Sequence, residues 1–507
     1  MFSYILVVAL IILNACNYNF RPLLTKVYLE PVSIVLLKAY FEYPRILPRS
    51  HPYIVNERLI VIFFTNRHIY PRQFPINCIV KTEDTVYRGR ESLERISSNE
   101  TKDIDEYECG FVFYRLECPL AKNKVIKSFI RFGKGNRAMV GTPYADQVDR
   151  DLVFCMRPLN HDQHSWSFIL TFIELARALQ VNLIHVFINS IPTDLLKLFG
   201  MYEIERWMQI TAAQNFTDLK YLSRMPFDAS SEYLAQTAAT MDCYHEHRQY
   251  TEFITFLDWG DLLLPRSRNS LPLELSALWG YHPYDVALRV VKHPAVIAND
   301  PIDRKKQFIT DKLKSLEISL EKQSPKQRFY IEMVQPLKVI GVTARGAVWK
   351  SKFKKRIDTM ADGLKTLSKV HILGDDFLLG ATVYGDDWTS VLPHRSISET
   401  VNFTSVVSPQ FGHPFYFDSR LKGLLLNTNY EEHFENITDN IIDQSNRRCQ
   451  IRANARMQAY RSILCPTSCP TLESPKTTYA RTSFVLDTQI GENVFYSYGN
   501  TQLVGVV

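Results

Sequence analysis

The chain lacks an apolar run long enough to span a bilayer comfortably, which takes about 20 residues. Its N-terminal candidate, residues 2–13, is apolar apart from Ser3 and breaks at Asn14-Ala15-Cys16. No Lys or Arg precedes that run, so the charge that marks a signal peptide or orients an anchor is missing. Basic residues are spread along the chain rather than clustered, and a net charge of +6 is modest for 507 residues. That leaves no electrostatic footprint for nucleic acid. No Cys-x-x-Cys pair repeats, which argues against a structural zinc site built on thiolates. There is neither an internal repeat nor a low-complexity tract.

What is present is ordinary globular composition: 46% hydrophobic and 22% charged. The length predicts two or more domains with ample core. Residues 1–26 are expected to be a signal peptide or a short signal anchor, with the body lumenal in either case. Four Asn-x-Ser/Thr acceptors, at Asn99, Asn215, Asn402 and Asn436, agree with entry into the secretory pathway. So do the cysteines. Leaving out Cys16, the other eight form an even set, which in an oxidising lumen suggests disulfides. Cys109 with Cys118, and Cys465 with Cys469, are near enough in sequence to pair, although pairing cannot be deduced from sequence.

The texture of the chain changes along its length. Residues 27–150 carry short alternating runs such as Leu59-Ile-Val-Ile-Phe-Phe64 and Phe111-Val-Phe-Tyr114, expected to form a small antiparallel β-sandwich. From 151 onward, apolar strand-like runs alternate with helical ones. Leu152-Val-Phe-Cys-Met156 and Val181-Asn-Leu-Ile-His-Val-Phe-Ile188 read as buried strands. Residues 166–180 repeat apolar side chains at helical spacing. This predicts an α/β domain with a mostly parallel sheet. Past Pro265 the pattern weakens. Residues 302–323 read as a charged, solvated helix, and 431–507 as a helical or irregular extension, with a polar helix over 441–460 and short strands or irregular chain over 474–507.

The stretch that carries chemistry is Phe253-Ile-Thr-Phe-Leu-Asp258-Trp-Gly-Asp261-Leu-Leu-Leu-Pro265. A buried strand ends there in two carboxylates, at the rim where open α/β sheets bind ligands. Hard oxygen ligands at such a rim suit Mg²⁺ or Mn²⁺ holding a diphosphate. The plain alternative is a loop with two solvated acids. Arg157, at the end of the first α/β strand, is a candidate for a nucleotide or its diphosphate, with a surface ion pair as its alternative. Asp242 is a candidate support of a nucleotide pocket or a structural hydrogen bond in its helix. Glu174 reads as a helix-surface salt bridge. His371, with His394 and His413 behind it, is a candidate further metal ligand or a structural histidine. Gly374-Asp375-Asp376 and Gly385-Asp386-Asp387 are either turns or sources of a base, so no general base is assigned.

In order and spacing, these pieces resemble the core of the family 92 glycosyltransferases over 152–265: Val153-Phe-Cys-Met-Arg-Pro-Leu159, Trp166, Thr171-Phe-Ile-Glu174, Arg177-Ala-Leu-Gln-Val181, Asp242-Cys-Tyr244 and Phe256-Leu-Asp258-Trp-Gly-Asp261. The resemblance implies a GT-A-like, Rossmann-type α/β domain over 151–430. It further implies transfer of a hexose, galactose by analogy, from a UDP-sugar donor to a glycan acceptor. Mn²⁺ or another divalent cation, and residence in the Golgi or another secretory membrane, belong to the same expectation. Asp258, Asp261 and His371 become the expected metal ligands, and Arg157, Asp242, Asp258 and Asp261 the expected nucleotide-sugar residues. At Gly260 the chain departs from the family's acidic motif, where a carboxylate normally stands. That departure supports an alternative: a weakened, lumenal glycan- or nucleotide-sugar-binding protein of the same fold. A hydrolase with two opposed carboxylates ranks last, because no second acid facing Asp258 can be identified.

Overall fold

The computed structural model describes the strands between 32 and 140, most of 148–297 apart from 161–165, 217–230, 267–269, 284 and 286, short segments between 316 and 402, and the strands between 477 and 505. Residues 1–26, the sequon at Asn99, and the helix expected over 441–460 lie outside the described residues, as do Cys109, Cys465 and Cys469. No described helix is long and apolar enough to cross a membrane.

The α/β region forms one eleven-stranded mixed sheet. Its chain order is β1 (Arg150–Met156), α1 (Trp166–Ala178), β2 (Leu183–Ile188), α2 (Thr193–Ile204), β3 (Met208–Ala212), α3 (Ser231–His247), β4 (Thr251–Leu257), β5 (Asp261–Pro265) and α4 (Leu271–Tyr281). Then come β6 (Ala287–Ile297), β7 (Leu316–Ser319), β8 (Tyr330–Val334), β9 (Val370–Leu373), β10 (Leu378–Val383) and β11 (Thr400–Asn402). Strands lie in the order β3-β2-β1-β4-β8-β6-β7-β11, with β9 and β10 also on β6, and β5 on β10. The first four neighbours are parallel. Strand β8 then runs antiparallel between β4 and β6. Two reversals make β6 parallel to β4, so both strands point to the same rim. The expected α/β fold is present, with a mixed outer half.

The sequence pattern explains these elements. Strand β2 is buried at every position and β1 at all but its first two, as expected of strands covered on both faces. Helix α1 turns Ile169, Leu170, Ile173 and Ala176 into the core beneath β1 and β2. The helix expected over 302–323 is not what forms at its described part. Leu-Glu-Ile-Ser alternates, Ile318 is fully buried, and β7 pairs with β6 and β11. Strand pairing with β6 overrides the helix-favouring charge pattern around it.

The N-terminal region contains a six-stranded sheet built on Val32–Glu42, Arg58–Thr65 and Val112–Pro119, and a separate four-stranded antiparallel sheet including Ile76–Thr82 and Val125–Phe132. Cys78 and Cys118 form a disulfide that joins the two sheets. The adjacent-in-sequence pairing of Cys118 with Cys109 is therefore corrected: two sheets facing each other bring Cys78, 40 residues away, into reach. The strand Glu492–Tyr496 pairs in parallel with Val32–Glu42, so the six-stranded sheet contains chain from both ends of the sequence. One face of this sheet shares a core with α3 and the α/β sheet, through Val35, Tyr40, Ile62 and Phe64 against Phe187, Met241 and Tyr244. A second disulfide, Cys155–Cys243, ties α3 to β1.

Candidate functional site

The strand ending at Leu257 does deliver a charged turn to the carboxyl rim. Asp258 to Asp261 form a tight reversal into β5, closed by the Asp261 N–H donating to the Asp258 carbonyl at 3.0 Å. Gly260 takes φ 116°, in the region that favours glycine. The turn is fastened to the end of β1: the Arg157 N–H donates to the Leu257 carbonyl at 3.1 Å, and the Trp259 indole N–H donates to the Arg157 carbonyl at 3.0 Å. Trp259 itself is buried and packs edge-on against Phe172.

The two acids differ in exposure. Asp258 is about one-third exposed, at 31%, and its Oδ1 lies 2.5 Å from Arg157 Nε. Asp261 is fully buried. Its Oδ2 accepts from the Asp258 N–H at 2.9 Å and from Lys292 Nζ at 2.5 Å. Lys292 Nζ also stands 3.5 Å from Asp258 Oδ2. The acids thus converge, but on an ammonium supplied by β6. Burial pulls the Lys292 pKa down, yet the carboxylates of Asp261 and Asp258 outweigh it and hold the lysine above its usual value. Strand β6 comes close to β10 here, since a Cβ on Gly380 would lie 2.6 Å from the Val291 carbonyl oxygen.

This donor set does not fit the two-carboxylate divalent-metal site expected from the sequence. An ion between Asp258 and Asp261 would take the place of the Lys292 ammonium, and Asp261 has no exposed oxygen to offer. One carboxylate, Asp258, reaches solvent. His371 does not join them either. It pairs with Leu288 at the start of β6, four positions before Lys292, which is about 13 Å along the strand at ~3.3 Å per residue. Its neighbours are His282 and Asp285 at the opposite rim.

Asp242 also lies away from the turn. It faces the N-terminal sheet, accepting from Lys38 Nζ at 2.8 Å and from the Tyr40 hydroxyl. It lines a small surface cleft with Lys38, Tyr40, Phe187 and Gln214. Glu174 makes the expected helix salt bridge, to Arg177 at 3.9 Å, but not at the surface: it is buried, accepts from the Tyr202 hydroxyl at 2.6 Å, and has its pKa raised by burial. Of the two Gly-Asp-Asp turns, Asp375 bonds His293 at 3.0 Å. Asp376, Asp386, Asp387, His394 and His413 lie outside the described residues.

Sequence reasoning missed Lys292. The available signal was a lysine inside the apolar run Val290-Val291-Lys292 of a strand. It also missed that His282 and Asp285 accompany His371.

The mixed α/β sheet with a charged turn at its carboxyl rim is that of a GT-A-like domain. Within it, residues 150–338 match the family model described as glycosyltransferase family 92. The glycosyltransferase family 92 protein F13G3.3 of Caenorhabditis elegans is 25% identical over 153 residues, 29% of this chain and 30% of the relative. A second C. elegans relative, family 92 protein F59C6.8, is 29% identical over 136 residues, 26% of this chain and 25% of its own length. The match therefore spans under a third of either relative. Among solved structures, a UDP-glucose pyrophosphorylase complexed with UDP-glucose is 8% identical, covering 47% of this chain and 90% of that one at a TM-score of 0.20. A score that low carries no argument.

Proposed function

We propose that the protein transfers a hexose, galactose by family analogy, from a UDP-sugar to a glycan acceptor in the lumen of the secretory pathway. The observation that carries this reading is the Arg157–Asp258 pair, partly exposed at the carboxyl rim of the parallel strands inside the family-matched segment. Open α/β sheets bind ligands at that rim. Sugar transfer requires the leaving diphosphate to be neutralised. Arg157 is the group for that task, because a guanidinium has five N–H donors and can hold Asp258 and a phosphate oxygen together. Lys292 adds a second positive charge behind Asp258. Asp258 orients both cations. No step is assigned to a divalent metal at this turn. The two disulfides and four sequons support lumenal residence in the Golgi or a neighbouring compartment, with residues 2–13 as the membrane-directed segment.

The test is a sugar-nucleotide panel on purified full-length protein, in Mn²⁺ and in EDTA. Transfer from UDP-galactose that persists in EDTA and falls about 100-fold in Arg157→Ala is the expected result. Turnover that strictly requires Mn²⁺ overturns the cation assignment. Donor binding without turnover points to the second reading, a binding protein of the same fold. The missing acid at Gly260 and the internally neutralised turn favour that reading most.

A further inference from the structure

The His282–Asp285–His371 cluster lies at the amino rim of the sheet, remote from the Arg157–Asp258 turn, and has no part in the donor reading. His282 ends α4, and a backbone hydrogen bond from the Asp285 N–H to the His282 carbonyl at 3.1 Å closes a turn between them. That turn is held from two sides. The His282 N–H donates to the Leu278 and Trp279 carbonyls, and the Trp279 indole N–H donates to the Asp285 carbonyl at 3.3 Å. His371 arrives from β9, 86 residues later in sequence, through the parallel pairing of β9 with β6.

The three donor atoms all lie within 4.8 Å of one another. Asp285 Oδ2 is 3.4 Å from His282 Nδ1 and 3.9 Å from His371 Nδ1. Ligands on a tetrahedral zinc at about 2.0–2.1 Å stand roughly 3.4 Å from one another. The observed separations are close to these, and the His282 and His371 rings, stacked with centroids 3.9 Å apart, turn out of that stack to aim both nitrogens at one ion. Asp285 is largely buried, while His371 is 42% exposed, which leaves one side open to a water ligand. Two imidazoles with one carboxylate suit Zn²⁺, or Co²⁺ as its spectroscopic substitute, better than Mn²⁺ or Mg²⁺. A second histidine cluster among the described residues, buried His185 and His247 beside Cys243, lacks this capacity: its sulfur is in the Cys155–Cys243 disulfide.

We propose that His282, Asp285 and His371 form a zinc site that fastens β9 to the α4–β6 turn. Binding is a cross-link between segments distant in sequence, so it stabilises the native chain by mass action. The test uses full-length protein stripped of metal, titrated with Zn²⁺ and, separately, Co²⁺. One Zn²⁺ per chain, a rise in thermal midpoint, and a Co²⁺ visible spectrum of tetrahedral type are expected. Asp285→Asn and His371→Gln should each weaken Zn²⁺ by about tenfold or more, and Arg157→Ala should leave it unchanged. Circular dichroism of the metal-free variants separates lost ligands from lost folding, and the more exposed His371 is the safer position. Zn²⁺ uptake equal in wild type and both variants, or no stoichiometric uptake at all, overturns the proposal. Neither result bears on UDP-sugar transfer.

Discussion

The ammonium of Lys292 lies 2.5 Å from the carboxylate of Asp261, and the pair closes the underside of the turn that presents Asp258. Removing one member of a buried ion pair leaves the other charge uncompensated, which costs about 3–5 kcal/mol. Lys292→Met is therefore expected to destabilise the protein by that order. The double change Lys292→Met with Asp261→Asn should recover much of the loss. Urea unfolding of the wild type, both single variants and the double variant completes the cycle. Additive losses would show that the two groups are not coupled.

Gly260 bears on what restoring the family's acid would do. At φ 116° an L side chain is strained, at a cost of about 1–3 kcal/mol. Gly260→Asp should lower the thermal midpoint and should not create Mn²⁺-dependent turnover, because Lys292 still stands between the acids. Gly260→Ala carries the same strain without the charge. The two variants should therefore fall together in a thermal scan, whereas a gain of turnover in Gly260→Asp alone would show that the turn accepts a metal.

Acid should loosen the protein through its buried histidines. His185 and His245 are fully buried, and burial pushes both well below the usual 6.5. The neighbouring His247 adds to the effect at His185, and Arg248, Arg115 and Arg58 add to it at His245. In the unfolded chain these rings take up protons as pH falls through 6.5, while the folded chain resists. Stability should therefore decline below that value. His245 stacks on Tyr40 and meets Tyr244 edge-on, so His245→Phe preserves ring packing and should flatten the decline. Urea midpoints near neutrality and at about pH 5 give the comparison. An unchanged slope would move the effect to other groups.

The alternation of strands and helices over 151–265 was legible because each element there has one strong period: β1, β2 and β4 are apolar runs, and α1 repeats at helical spacing. Asp258 at the rim followed from the end of such a run. The inward turn of Asp261 was not legible, since it depends on a reversal through Gly260 that breaks the alternation of faces. Nor was Lys292, whose partner is chosen by the register of β6 against β10 and β5. Cys78–Cys118 was hidden for a similar reason: stacking of two sheets, not nearness in sequence, sets it. Asp242 was placed on its helix correctly, but a lysine and a tyrosine from the N-terminal sheet decide what it touches.

The parallel contact of Val32–Glu42 with Glu492–Tyr496 has a consequence for biosynthesis. At about 5–20 residues per second, roughly 460 residues of translation separate the emergence of these partners, or about 25–90 s. For that interval one flank of an apolar strand waits with its backbone groups uncovered, a state prone to join other chains. Folding helpers that shield open strand flanks are thus expected to matter more for this protein than for one whose neighbouring strands emerge in succession.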